Sequence, residues 1–306
     1  MAETSRSQGP NVTADYLALR GDVGAVVLAR DCLVASGPDT DTFLEGQLSQ
    51  DVGAIAVGAS AWALLLEPQG KLVAWLRLSR RAENELVLDV DGGFGGAVAT
   101  RLARFKLRTR CELEPLAGWR AVALRGPRSG QVDTGAAVVV ADAAWPGLAG
   151  VDLLGPDAAV PEGVRACGLD AYESVRIEAG VPRMGVELTE GLIPAEAGIV
   201  ERSVSFTKGC FTGQELVARI DSRGGNTPRR LVGVLVAGNV LPPPAATVHG
   251  ENGKQVGHVT SVGESLERRC PVALAYVHRS VVSPAEVTLR WPGAEAPARV
   301  EALPLV

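Results

Sequence analysis

The chain is poor in the residues that would announce a ready-made chemistry. Only three of its 306 residues are histidine, and His249, His258 and His278 all fall in the C-terminal part without the spacing that zinc or another transition metal requires. The five cysteines, Cys32, Cys111, Cys167, Cys210 and Cys270, are odd in number, scattered and never in a CxxC pair. That excludes a disulfide framework and a cysteine-held cluster, and fits a reducing compartment. Positive charge is not in excess: 30 Lys+Arg stand against 35 Asp+Glu, a formal charge of -5, so the surface as a whole does not advertise a polyanion partner. Apolar runs such as Ala61 to Leu66 are too short to cross a bilayer. Residues 1–15 are polar, carry Glu3, Arg6 and Asp15, and have no apolar stretch of the kind a signal peptide needs, so a loose tail and a cytoplasmic protein are expected.

What is present is a large apolar fraction, 46%, enough to bury a substantial core. Short alternating stretches at Ala25–Ala29, Leu86–Val90, Ala121–Leu124 and Ala136–Val140 read as strands. Between them Asp39–Leu48 and Gly96–Lys106 keep helical spacing. Gly92–Gly96 has neither phosphate-loop pattern and reads as a strand-to-helix turn. From Leu231 the pattern changes to short strands at 231–236, 247–249, 256–260, 272–277 and 286–289, separated by Pro and Gly turns, which suggests a small barrel or sandwich. The expected division is a tail over 1–15, an α+β region over 16–228 and a β domain over 229–306.

The segment Lys208-Gly-Cys-Phe-Thr-Gly-Gln-Glu215 is the one most charged with chemistry. Thr212 and Glu215 have capping-box spacing ahead of Leu216, Val217 and Ile220, and Gly224-Gly225 stops the run. Such a helix start would set unpaired N–H groups near Cys210, with Lys208 adding a cation, and both favour a thiolate. The competing role is a small buried cysteine beneath a loop, with Lys208 solvated. Arg101, Arg104, Lys106, Arg108 and Arg110 form a basic stripe, which is either a solvated face or a contact for RNA or a polyglutamate tail. The five tryptophans are dispersed and read as core or rim packing.

The string from Lys208 to Gly224, with Gly209, Cys210, Phe211, Thr212, Gly213, Gln214, Glu215, Arg219 and Arg223 in place, resembles the signature of YgfZ-type folate-binding proteins, with Phe where Tyr is more usual. Cys167–Gly180 is similar to a helix of glycine-cleavage T-proteins, Ile193–Gly198 to the segment after it, Phe43–Asp51 to an early element of the family, and Gly257–Ser261 and Ala273–Val277 to the T-protein barrel. The resemblance implies a T-protein-like fold of antiparallel sheets with packed helices plus a small C-terminal β-barrel. It implies tetrahydrofolate or a one-carbon folate derivative in a central hole, no metal, and Glu178 beside Arg176 as the carboxylate that holds the pterin. The plain alternative for Glu178 is a helix-surface ion pair with Arg176 or Arg183.

Where T-proteins carry an aspartate pair, the matching stretch places Val73 and Ala74, which can neither move a proton nor stabilise a cation. Cys210 stands where those proteins usually have Asp. The family role implied is therefore an accessory one, supporting iron–sulfur enzymes or assembly factors and tRNA methylthiolation through Cys210 and Lys208, with tRNA contact through the basic stripe. The alternatives are a folate-dependent aminomethyl- or methyltransferase on another substrate, and a folate-binding scaffold without chemistry.

Overall fold

The computed structural model describes residues 11–305. The chain opens with α1 (Val12–Gly21), β1 (Gly24–Leu28), β2 (Arg30–Ser36), α2 (Thr40–Gln47), β3 (Ser60–Leu66), β4 (Leu72–Ala82), β5 (Glu85–Asp91), α3 (Gly95–Ala103) and β6 (Glu112–Pro115). It continues through β7 (Arg120–Arg125), β8 (Val139–Asp142), β9 (Gly150–Gly155), β10 (Arg165–Ala166), α4 (Leu169–Glu178) and α5 (Gln214–Asp221). The last part is β11 (Arg229–Val236), β12 (Thr247–His249), β13 (Gln255–Ser265), β14 (Cys270–His278), β15 (Ala285–Trp291) and β16 (Ala294–Glu301). Two open sheets, ordered β10-β1-β7-β9-β8 and β3-β4-β5-β2-β6, are followed by a closed barrel, β11-β14-β13-β12-β15-β16. The pairing is antiparallel except for β1 with β10, so the expected α+β fold with antiparallel sheets and a C-terminal barrel is what the chain adopts.

Strand β5 shows why the two open sheets stack. Its Leu86, Leu88 and Val90 enter the main core beneath α2 and α3, while Val87 turns to the other side and packs with Ala121, Val139 and Leu154 of the neighbouring sheet. A strand buried on both faces reads as a near-continuous apolar run. Asp89, fully buried on β5, breaks that run, and its carboxylate accepts from Arg77 Nε at 3.0 Å and Arg30 Nε at 2.5 Å.

Helix α4 is the hub of the molecule. Ala171, Tyr172 and Val175 pack with Tyr16 and Leu19 of α1 over the first sheet, and Ile177 packs on Val272 and Leu274 of the barrel. Barrel strand β13 comes so close that a Cβ on Gly263 would lie 3.1 Å from Ser174 Cα.

Three local expectations are corrected. The tail does not extend to residue 15: Asn11 caps α1 through Oδ1 to Ala14 N–H, and Asp15 is buried, accepting from Gly168 N–H at 2.8 Å and Arg165 Nε at 2.7 Å; residues 1–10 lie outside the described part. Thr212 and Glu215 form no capping box. Helix α5 starts at Gln214 after a left-handed Gly213, and Gln214 Oε1 instead accepts from Phe211 N–H at 3.1 Å. The reason is a close approach: a Cβ at Gly213 would lie 2.5 Å from Glu67 O, so the chain must pass the β3–β4 turn on a glycine with positive φ. The basic stripe is also not one surface. Arg101 is buried, with Nη2 on Leu66 O and its guanidinium over Phe105, while Lys106 pairs with Glu112 and Arg110 with Asp39; Arg104, Arg108 and Arg110 are exposed.

Candidate functional site

A cavity of 390 Å³ opens where the two sheets, α4 and the loop after it converge. One wall is aromatic: Trp62 of β3 and Trp75 of β4 stack with centroids 4.1 Å apart and planes 23° from parallel. Both rings are anchored, Trp75 Nε1 donating to Ser203 Oγ at 2.9 Å and Trp62 Nε1 to Ala143 O at 3.4 Å. Trp145 and Tyr172 supply a second aromatic surface, with the Arg125 guanidinium 4.3 Å from the Trp145 ring centroid. Such rings offer flat apolar area fixed by one polar tip each.

Beneath the aromatics lies a buried ion network. Asp152 accepts from Arg77 Nη1 and Arg125 Nη1, both at 2.8 Å, and Asp89 bridges Arg77 and Arg30. These guanidiniums hold the Asp152 carboxyl well below the usual range even though burial pushes it up. Asp152 thus accepts one bond on each oxygen and is itself buried beneath the rings. Asp91, at the end of β5 on the cavity rim, carries the same number of bonds but is more open, its side chain 27% exposed: Oδ1 accepts one bond, from Arg30 Nη1 at 2.8 Å, and Oδ2 one, from Met184 N–H at 2.9 Å. Each oxygen keeps an acceptor site. Glu173 of α4 is more heavily used, by Arg176 on Oε2 and Arg183 on Oε1.

Of the residues singled out from sequence, Arg176 lines this cavity and Glu178 does not. Helical spacing is the cause: positions 172, 173 and 176 share the cavity face, whereas 178 comes round to α1. There Glu178 Oε1 accepts from Tyr16 O–H at 2.6 Å, and Oε2 lies 3.6 Å from Arg20 Nε. Burial, then the Glu178 hydrogen bond and charge, push the Tyr16 phenol up to about 12. Arg176 is clamped to Glu173, Val181 O, Glu187 and Ser261, so it shapes the cavity wall and has little capacity left for a ligand.

The Lys208–Glu215 segment lies elsewhere. Lys208 is not at a reactive surface: its side chain is 1% exposed, and Nζ donates to Glu45 O, Leu48 O and Gln50 O at 2.7, 2.8 and 2.9 Å, with Glu45 Oε1 at 3.1 Å. Cys210, beside it in sequence, is the exposed cysteine of the five. Burial raises the thiols of Cys32, to about 12, and Cys167, to about 11, and also those of Cys111 and Cys270. Cys210 is not among the residues that line the 390 Å³ cavity. Phe211 is buried, and Gly213 supplies the close crossing described above. Val73 and Ala74 follow the start of β4, Ala74 buried in the core and Val73 lining a neighbouring apolar cavity of 940 Å³ that shares Met184 and Gly185 with the first.

Sequence reasoning missed Arg30, Asp91, Arg125 and Asp152. The usable signal was charge inside otherwise apolar strands, as in Glu85-Leu-Val-Leu-Asp-Val-Asp91, because a charge buried in a sheet must find partners.

Residues 229–306 match the family model of the glycine cleavage T-protein C-terminal barrel domain. The chain is 28% identical over 333 residues to an aminomethyltransferase of Thermus thermophilus, covering 98% of this chain and 91% of that one. It is 27% identical to an aminomethyltransferase of Streptomyces avermitilis, covering 95% and 88%. An uncharacterized protein of Haemophilus influenzae is 26% identical over 192 residues, covering 62% and 65%. The crystal structure of glycine cleavage system aminomethyltransferase T from Bartonella henselae superposes with a TM-score of 0.81 at 22% identity, over 96% of this chain and 89% of that one. Barrel domain, relatives along nearly the whole chain and shared fold together support placing this protein in the glycine-cleavage T-protein, or aminomethyltransferase, superfamily.

Proposed function

We propose that the protein binds tetrahydrofolate, or a one-carbon derivative of it, in the 390 Å³ cavity, and acts through Cys210 as an accessory to iron–sulfur enzymes, including those that methylthiolate tRNA. The observation that carries the folate reading is Asp91: a carboxylate on the rim of an aromatic-walled cavity with one acceptor site open on each oxygen. An aminopyrimidine edge presents two parallel N–H groups, which is the donor pair such a carboxylate takes. The stacked Trp62–Trp75 wall suits a flat bicyclic ring. Tetrahydrofolate, when bound, supplies a carrier for one-carbon units.

Against a glycine-cleavage reaction stands the absence of an acid at Val73 and Ala74. The accessory role rests on the likeness of Lys208–Gly224 to the YgfZ-type signature and on the exposure of Cys210 outside the cavity, where a macromolecule has access to it. With Lys208 occupied by main-chain carbonyls, Cys210 rather than Lys208 is the member of the pair open to a partner.

Two measurements test the halves separately. Titration with 5-formyltetrahydrofolate should quench tryptophan fluorescence, and Asp91→Asn should weaken binding about 10- to 100-fold, the worth of a charge-assisted pair at about 1.5–3 kcal/mol. Unchanged affinity in Asp91→Asn, or no binding by the wild-type protein, removes the folate assignment. Cys210→Ser should keep that affinity but fail to restore tRNA methylthiolation in cells lacking the protein; full restoration removes the cysteine from the function.

A further inference from the structure

Arg202 differs from the other arginines held inside the molecule. Arg77, Arg125 and Arg176 each meet one or more carboxylates. Arg202 forms no ion pair among the described residues, and its Nε and Nη1 are closed off from solvent with no hydrogen-bond partner. Burial pulls its guanidinium down to about 10, and no neighbouring charge offsets that. Its close companion is the Trp75 ring, 4.7 Å from the guanidinium carbon to the centroid, on a tryptophan that also lines the central cavity.

Arg202 lines a separate groove of 720 Å³ between the Trp145 loop, the 3-10 turn at Pro194–Ala197 and barrel strand β11. The walls include Trp145, Pro146, Leu231, Val232, Leu303 and Pro304. Its charged residues are Glu201, Arg202 and Arg230, two cations against one carboxylate, and Arg230 Nε is a second buried donor without a partner. Of the three guanidinium nitrogens of Arg202, Nη2 is not among the closed-off atoms, so a ligand in this net-positive groove meets the guanidinium at Nη2.

We propose that this groove is a carboxylate-binding site, in which Arg202 takes the carboxylate of an organic ligand whose apolar body lies on Trp145, Leu231 and Pro304. Two guanidiniums offset by the Glu201 carboxylate leave the groove a net charge of one, which suits a singly charged carboxylate better than a phosphate dianion. Two sources carry that chemistry: a free amphipathic carboxylate, and the glutamate tail of a folate whose ring occupies the central cavity, since Trp145 lines both spaces. The second source rests on the folate reading above.

Calorimetric titration of the full chain with benzoate, inorganic phosphate, 5-formyltetrahydrofolate and a tetrahydropterin without the tail separates these cases. Benzoate should bind the wild-type protein, bind Arg202→Met at least about tenfold more weakly, and outcompete phosphate. Arg202→Met should keep or raise the melting temperature, because an unpaired buried cation is replaced by an apolar chain of similar length. A matching loss for the tailed folate, with the tailless pterin unaffected, assigns the site to the tail; an unaffected folate assigns it to a free carboxylate. Benzoate binding equal in wild type and Arg202→Met, or phosphate bound more tightly than benzoate, overturns the proposal. Should Arg202→Met fold poorly, Arg202→Gln replaces it, and wild-type benzoate affinity in that variant also overturns it, since Gln carries no charge. Tailless pterin binding reads the central cavity alone, so failure of the folate reading is seen independently.

Discussion

Replacing Lys208 with methionine tests whether the residue is a clamp. Its ammonium carries three N–H donors, and the structure gives each a carbonyl at the C-terminal end of α2 and just beyond: Glu45, Leu48 and Gln50. Methionine keeps most of the volume, so the change removes bonding while leaving packing nearly intact. Each charge-assisted bond is worth about 1.5–3 kcal/mol, but their sum overstates the loss, because burial already disfavours the ammonium and lowers its pKa. Breaking a buried charged contact by removing one partner costs about 3–5 kcal/mol, and we expect Lys208→Met to fall in that range. Glu45→Gln should cost only about 0–1 kcal/mol, since its carboxylate is 30% exposed and screened by water. Guanidinium chloride unfolding followed by tryptophan fluorescence measures both. A Lys208→Met loss under about 1 kcal/mol refutes the clamp. If the expected loss is found, inactivity of Lys208 variants reports a collapsed loop, and Cys210→Ser remains the variant that speaks to chemistry.

Gly213→Ala should destabilise the protein by at least about 2 kcal/mol in the same unfolding assay, from the left-handed backbone and a Cβ placed 2.5 Å from Glu67 O; a neutral result would mean the α5 start can shift. Asp152→Asn should cost about 3–5 kcal/mol at neutral pH by leaving Arg77 and Arg125 facing a neutral amide. Because the folded Asp152 carboxyl is held below its unfolded value, its contribution is complete above about pH 4 and is lost as pH falls toward the folded value, so the wild-type and variant melting temperatures should converge in acid and a pH-independent gap contradicts the network. Glu178→Gln should leave folate affinity within about twofold while bringing the Tyr16 phenol down from about 12 in an ultraviolet pH titration; a large loss of affinity would return Glu178 to the binding site.

Elements with strong periodicity were legible in the sequence. Strand β12 occupies the residues expected of it, and β5, β7, α2 and α3 lie within a few residues of their expected bounds. Strand β16 was not legible: Ala294–Glu301 holds Pro297 and alternates alanine with charge, and only closure of the barrel makes Ala296, Ala298 and Val300 an inward face. Strand β8 begins at Val139, later than the apolar run suggests. Helix α1 was hidden for a similar reason, since Asp15 reads as a tail residue until Gly168 and Arg165 are brought to it from about half a chain away. The glycines of the Lys208 motif could be noticed from sequence, yet the need for one at 213 depends on contact with the β3–β4 turn.

The candidate site was half legible for a physical reason that also organises it. Aromatic rings at 62 and 75 and charges at 77, 89 and 91 belong to adjacent strands whose alternation places them on the buried side facing the other sheet or on its rim, so a single strand register fixes the stacked wall, the ion network and the Asp91 edge together. Arg77 and Arg30 lie 5.3 and 5.8 Å from the Trp62 centroid, and Arg202 lies 4.7 Å from that of Trp75. Each ring of the pair thus has at least one cation within about 6 Å of its centroid, the range in which a cation is attracted to an aromatic ring. Trp75 lines the cavity and touches Arg202, and Trp145 lines both spaces, so any coupling between ligands in the two must be reciprocal: whatever factor a carboxylate at Arg202 changes in pterin affinity, the pterin changes in carboxylate affinity.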